Sequence, residues 1–317
     1  MKTITAPEHN LILDVIGEGL TPLPAAALEK DLLVTEILQR IQQLDTGEIK
    51  LVFCGGTSLS KAHGLIERMS EDIDFKVIVP EGLSRSARSK QLSQLKNQLA
   101  DFLLQEAYTL PDESPLARDE NNYVSYSICY ASRFLSVASL RSEIKVELSA
   151  RTSLLPLEHL PVRSILGTLV DPDALGILIN CQSVQETLGE KVLSFLRRTA
   201  EAMAGRNRTE YDDRLIRHIY DVSVIYRQSQ SPLSEVTGSV FQDMVAADAL
   251  RFSRQYPEFK INPAEEMQKA LVRLKSDEKF SKQYTRFVEE LVYGTSVPFA
   301  VAQQDFIRLA EQLLSSL

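Results

Sequence analysis

Cysteine is scarce in this chain: Cys54, Cys129 and Cys181 are the only three among 317 residues. An odd set without CxxC spacing excludes a closed disulfide framework and a paired-cysteine zinc site, and it suits a reducing cytoplasm. Histidine is nearly as rare, four in all with no HExxH pattern, which excludes the usual zinc-hydrolase helix. Positive charge is in deficit. Thirty-five Lys and Arg against 43 Asp and Glu give a formal net charge of -8, so a global basic field that coats nucleic acid is ruled out and any RNA contact must be local. No apolar run reaches membrane-spanning length, and the opening MKTITAPEHN lacks the apolar core of a signal peptide. The expectation is a cytoplasmic protein with no membrane partner. Glycine and proline, 13 each, leave no room for a long disordered arm, and there is no repeat, heptad run or low-complexity tract.

What remains is ordinary globular material, 44% hydrophobic and 25% charged, at a length that fits one α/β core with a helical extension. Residues 25–44 place Leu32, Ile37, Ile41 and Leu44 at helical spacing, with Glu29, Lys30 and Asp31 on the early turns. IKLVFC then reads as a buried strand, GGTSLSKAHGLI as a tight turn opening a helix, and DIDFKVIV as a second strand closed by Pro80. Residues 84–106 read as a helix, and YVSYSICYAS and EIKVELSA alternate as strands of the same sheet. From Ser183 onward the pattern is helical, with segments at 184–204, 212–227, 239–253, 263–275, 277–292 and 300–317. The domain change is placed near Asp171-Pro172-Asp173, giving a core over 1–172 and a helical domain over 173–317.

The chemistry concentrates between Gly55 and Asp74. Asp72 and Asp74 lie two apart on a predicted strand, so both side chains leave one face and can share a hard divalent cation such as magnesium or manganese. Gly55 and Gly56 let the backbone turn sharply toward a ligand, and Thr57 and Ser58 add hydroxyls at the helix start, where free N–H groups favour an anion. One predicted helix separates this turn from the Asp pair, which would bring phosphate donors and metal ligands into one cleft. In EIKVELS, Glu143, Lys145 and Glu147 alternate against Ile144, Val146 and Leu148. If this strand neighbours the Asp strand, Glu147 becomes the third carboxylate, holding a metal or accepting the proton of an attacking hydroxyl. Further on, Lys191 borders the apolar stripe Leu188, Val192, Phe195 and Leu196, with Arg198 along nearly the same line. Either can offer a charge to a triphosphate. Arg197, Arg198, Arg206, Arg208, Arg214 and Arg217 make a local basic stretch suited to RNA phosphates.

Taken in order, GGTSLSK (55–61), RMSEDIDF (68–75), IKVELS (144–149), LGEKVLSFLRR around Lys191 and RHIYD ending at Asp221 resemble the AbiEii/AbiGii family of nucleotidyltransferase toxins over residues 25–230. The resemblance implies an α/β fold with a small mixed-sheet polymerase-β-type nucleotidyltransferase core, followed by an all-helical C-terminal domain. It implies an enzyme that moves a nucleoside monophosphate from a triphosphate to an acceptor, in some members the tRNA 3′ end, which stops translation. Gly55, Gly56, Thr57, Ser58 and Lys61 form the phosphate-side block, with Thr57 and Ser58 beside the phosphates. Asp72 and Asp74, joined by Glu147, would hold the metal. Lys191, with Arg198, would bind the triphosphate, and Asp221 would be the essential acidic residue of the last motif. That motif departs from the common pattern at His218, where an acidic residue is usual. An antitoxin, often a winged-helix regulator encoded nearby, is the implied partner. Transfer to a small molecule or protein side chain, and an inactive nucleotide-binding regulator, are the alternatives.

Overall fold

The computed structural model describes residues 1–135, 140–207, 210–228 and 238–317. Arg208 of the anticipated basic stretch lies outside them. The chain divides into two compact units: 1–64 with 68–183, and 184–317 with Leu65–Glu67.

The first unit opens with α1 (Ala6–Gly17), started by a reciprocal Thr5–Glu8 capping box with Pro7 in the first turn. Then come α2 (Ala25–Ile41), β1 (Lys50–Cys54), α3 (Gly55–Lys61), β2 (Asp72–Ile78) and α4 (Arg85–Gln105), the last capped by Ser84. The strands β3 (Leu116–Arg118), β4 (Tyr123–Ile128), β5 (Ile144–Ser149) and β6 (Glu158–Val162), the short α5 (Ile165–Val170) and β7 (Ile177–Cys181) complete it. All seven strands form one sheet in the order β3-β4-β5-β2-β1-β7-β6. The sheet is mixed: β2 runs parallel to β5 and β1 to β7, while the other neighbours are antiparallel.

Strand β7 lies in the first compact unit, which runs to Ser183. It pairs with β1 through Phe53 and Cys181 and with β6 along its length, so it belongs to the sheet. Neither β6 nor β7 was anticipated. β6 carries Pro161, which cannot donate to a ladder and is tolerated at a sheet edge, where β6 lies. The apolar faces of the central strands are sealed by Val52, Phe53, Ile73, Phe75, Val146 and Leu148, each at most 3% exposed.

The second unit is helical among its described residues: α6 (Val184–Met203), a 3-10 turn at Asp213–Ile216 leading into α7 (Arg217–Gln228), α8 (Gly238–Arg251), α9 (Pro257–Ile261), α10 (Pro263–Ser276), α11 (Glu278–Leu291) and α12 (Phe299–Leu314). Asn262 and Asp277 cap α10 and α11 by accepting from Glu265 and Lys279 backbone N–H groups. The anticipated stripe of α6 is the core here. Phe195 meets Phe306 and Phe280 with ring centroids 5.0 and 5.7 Å apart, and Leu188, Val192 and Leu196 are buried beside it.

Candidate active site

The alternation of DIDFKVIV places Ile73 and Phe75 in the core and leaves Asp72 and Asp74 half-buried on the opposite face. β5 repeats the pattern, with Ile144, Val146 and Leu148 buried and Lys145 and Glu147 on the polar side. Because β2 and β5 are parallel neighbours in the register Asp72↔Lys145 and Asp74↔Glu147, three carboxylates and one lysine share a patch of sheet. β4 adds Tyr123, whose hydroxyl donates to Glu147 Oε1 at 2.8 Å. Burial first, then the Glu147 charge beside it, raises the Tyr123 phenol well above its ordinary value. The phenol therefore stays a proton donor.

Asp72 and Glu147 already hold protein cations. Arg141 Nη1 lies 2.6 Å from Asp72 Oδ1, and Lys145 pairs with Glu147. Burial, aided by the neighbouring charges of Glu71 and Glu147, pushes the Asp72 carboxyl above its usual value, while Arg141 and Lys145 pull the other way. Among the described residues, no three His, Cys, Asp or Glu side chains converge as a bound metal requires. The donor chemistry nevertheless fits a hard divalent cation: carboxylate oxygens from adjacent strands lie on one half-buried face.

The glycine turn is built around this face. Gly55 has φ +77° at the junction of β1 and α3, and a Cβ there would collide with Asp74 Oδ2. Gly56 is constrained from the other side, since its Cβ would strike the Arg68 guanidinium. Both glycines are needed for close approach: one lets the Asp74 carboxylate lie over the turn, the other admits a buried arginine. Gly55→Ala is therefore expected to cost about 2 kcal/mol or more, from left-handed strain plus displacement of Asp74. Urea unfolding and transfer activity measured on one preparation should fall together, and an unchanged midpoint would remove the steric argument.

The hydroxyls that follow are held inside the fold. Thr57 is fully buried, and its hydroxyl donates to the Asp72 backbone carbonyl and lies 2.8 Å from Ser70 Oγ. It ties α3 to the start of the Asp strand. Ser58 is 1% exposed, lying against the Cys181 thiol. Neither hydroxyl faces solvent.

Lys61, expected on the phosphate side of the site, has its own partners inside the fold. Its ammonium is buried in an ion pair with Asp31 and donates to Thr35 Oγ1 at 2.9 Å, while Asp31 also accepts from the Ile165 N–H at 2.6 Å. The lysine ties α3 to α2 and, through Asp31, to the start of α5. Lys61→Met leaves Asp31 buried without its cation and is expected to cost about 3 kcal/mol. Adding Asp31→Asn should recover part of that loss in the same chemical denaturation assay. Full additivity of the two losses would contradict the pairing.

Several neighbours of the site carried no sequence signal of their own. Arg141 reaches Asp72 across 69 positions of chain. Lys30 pairs with Glu71 at 2.6 Å, side chains 0% and 2% exposed, and burial lowers the lysine's pKa despite that partner. Glu29 likewise accepts from the Arg133 N–H at 2.8 Å and from the Ser132 hydroxyl. The Glu29-Lys30-Asp31 run, read from the sequence only as the early turns of an amphipathic helix, is wholly interior.

In the second unit Lys191 and Asp221 form a buried pair at 2.7 Å, from α6 to α7. His218, one turn before Asp221, places Nδ1 3.2 Å from the Lys191 carbonyl. The anticipated basic stretch is largely neutralised. Arg197 is held by Asp248 and Glu201 and stacks over Phe252, Arg198 by Asp212 at 3.1 Å, and Arg206 by Glu258.

A mixed sheet in which a strand, a glycine turn and a short helix lead to an Asp-x-Asp strand beside a glutamate strand is a nucleotidyltransferase arrangement. A family model described as the nucleotidyl transferase AbiEii toxin of type IV toxin–antitoxin systems matches residues 36–306, and this chain belongs to that family. Membership implies an enzyme, a nucleoside triphosphate substrate and an antitoxin. Among solved structures the chain is similar to MenT4, a nucleotidyltransferase toxin from Mycobacterium tuberculosis H37Rv, with a TM-score of 0.56 at 18% identity, over 98% of this chain and 90% of that one. That likeness shows the same fold. A search of curated protein sequences gives no match. No described helix is long and apolar enough to cross a membrane.

Proposed function

We propose that this toxin transfers a nucleoside monophosphate from a triphosphate to the 3′ end of an RNA acceptor, tRNA being the favoured one, and so blocks translation. The observation that supports it most is the shared face of β2 and β5, with Asp72, Asp74 and Glu147 over a glycine turn that approaches Asp74. The acceptor hydroxyl oxygen forms a bond to the α-phosphorus, the bond from that phosphorus to the β-phosphate bridge breaks, and pyrophosphate leaves. Asp72, Asp74 and Glu147 are the residues to hold magnesium or manganese, which when bound lowers the charge barrier between hydroxyl and phosphate. Glu147, with Tyr123 donating to one of its oxygens, is the proposed base, accepting the proton of the acceptor hydroxyl on its other oxygen. Lys191, oriented by Asp221, is the ammonium assigned to the triphosphate.

Incubating the purified protein with each α-labelled nucleoside triphosphate, magnesium and total cellular RNA tests this. Label is expected on RNA of tRNA size, at the 3′ end. Label on protein or on a small molecule would replace the RNA acceptor, and binding without any transfer would overturn the catalytic reading.

A further inference from the structure

The carboxylate face carries its own cations, and one of them is anchored with unusual completeness. The Arg141 N–H donates to Glu71 Oε2 at 2.7 Å, and its carbonyl accepts from Lys30 Nζ at 2.7 Å. Lys30 and Glu71 are themselves a fully buried pair, so the Arg141 backbone is fixed at both polar groups by one interior ion pair. Glu71 immediately precedes Asp72, so the same pair also sets the start of β2. From this mount the guanidinium reaches Asp72 Oδ1 at 2.6 Å, its side chain still 16% exposed. The contact is therefore specified by buried chemistry at its base and open to water at its tip.

A guanidinium nitrogen at that distance uses the Asp72 oxygen that a divalent cation needs at about 2.0–2.1 Å. Two cations a few ångströms apart in a half-buried site also repel strongly. We infer that Arg141 is a built-in counter-ion that competes with the divalent metal for Asp72, so that loading the centre exchanges a protein cation for a metal ion. This rests on the reading of Asp72 and Asp74 as metal ligands. Lys145 is turned to Glu147, so among the described residues Arg141 is the cation that contacts Asp72 directly.

The test is nucleotide-free Mn2+ binding, followed by the electron paramagnetic resonance signal of free Mn2+, for the full-length wild type, Arg141→Gln and Asp74→Asn. Arg141→Gln should bind Mn2+ about tenfold or more tightly than wild type. It should also melt lower than wild type without metal, the gap closing when Mn2+ is added. In wild-type protein the Arg141 Nε–H resonance, assigned by its loss in Arg141→Lys, should move on addition of Mg2+, a readout that does not depend on the glutamine variant folding. Equal or weaker Mn2+ binding by folded Arg141→Gln, with binding still lost in Asp74→Asn, overturns the exchange while leaving the metal ligands in place. A stationary Arg141 resonance at saturating Mg2+ overturns it too. Absence of Mn2+ binding in all three proteins overturns the metal reading and the exchange with it.

Discussion

Asp74→Asn is expected to leave the protein folded and to lower nucleotidyl transfer by about three orders of magnitude or more, the loss of about 4 kcal/mol that follows removal of one charge stabiliser in a preorganised site. The side chain stands in register with Glu147 and over Gly55, and an amide occupies the same volume. Sterics are thus preserved while the charge is removed. The assay is the labelled-nucleotide transfer measured across a magnesium titration, with melting temperatures recorded beside it. Undiminished transfer with the same magnesium dependence would take the Asp pair out of the mechanism.

The second large effect is on growth. Expression of the intact chain in bacteria without an antitoxin should arrest growth, and Asp72→Asn should restore the growth rate of an empty-vector control at equal protein level. Family membership supplies the expectation of toxicity. The site residues supply the expectation that toxicity depends on chemistry rather than on sequestering a partner. Asp221 is a less direct probe of the same idea, because it is fully buried against Lys191. Asp221→Ala leaves that ammonium unpaired in the interior, which costs stability on the order of 3–5 kcal/mol. Asp221→Asn, which keeps a hydrogen-bond acceptor for Lys191, is the better comparison. Soluble, folded Asp72→Asn that still stops growth would mean that nucleotidyl transfer is not how the protein acts.

These expectations draw on two kinds of information. The alternation in DIDFKVIV and EIKVELS settles which side chains leave the polar face, because a strand repeats every two residues whatever surrounds it. Helices α4, α6, α7, α8, α10, α11 and α12 were legible for a similar reason: a 3.6-residue apolar period, often with a Ser, Asn or Asp cap, survives in most tertiary settings. The Asp-x-Asp pair, the glycine turn and Glu147 were all visible as candidates on that basis.

What local pattern does not carry is the partner of a charge. Lys61 stands in a motif that suggests a phosphate contact, yet it lies in a buried pair with Asp31 from thirty positions earlier. Glu29, Lys30 and Asp31 have the composition of an exposed turn but are interior, because three separate segments bring a complementary group to each. Nor could the arginines of α6 and the loop after it announce their partners, Asp248 of α8, Glu258 of α9 and Asp212 at the start of the 3-10 turn. Arg141 belongs to the same class: nothing in RSEIKVELS marks it, and only the parallel pairing of β2 with β5 brings it to Asp72. The sequence by itself determined which residues can ionise and which face each leaves, since both follow from residue chemistry and local period. The tertiary structure alone decided which charges neutralise one another, since that depends on distances between segments far apart in the chain.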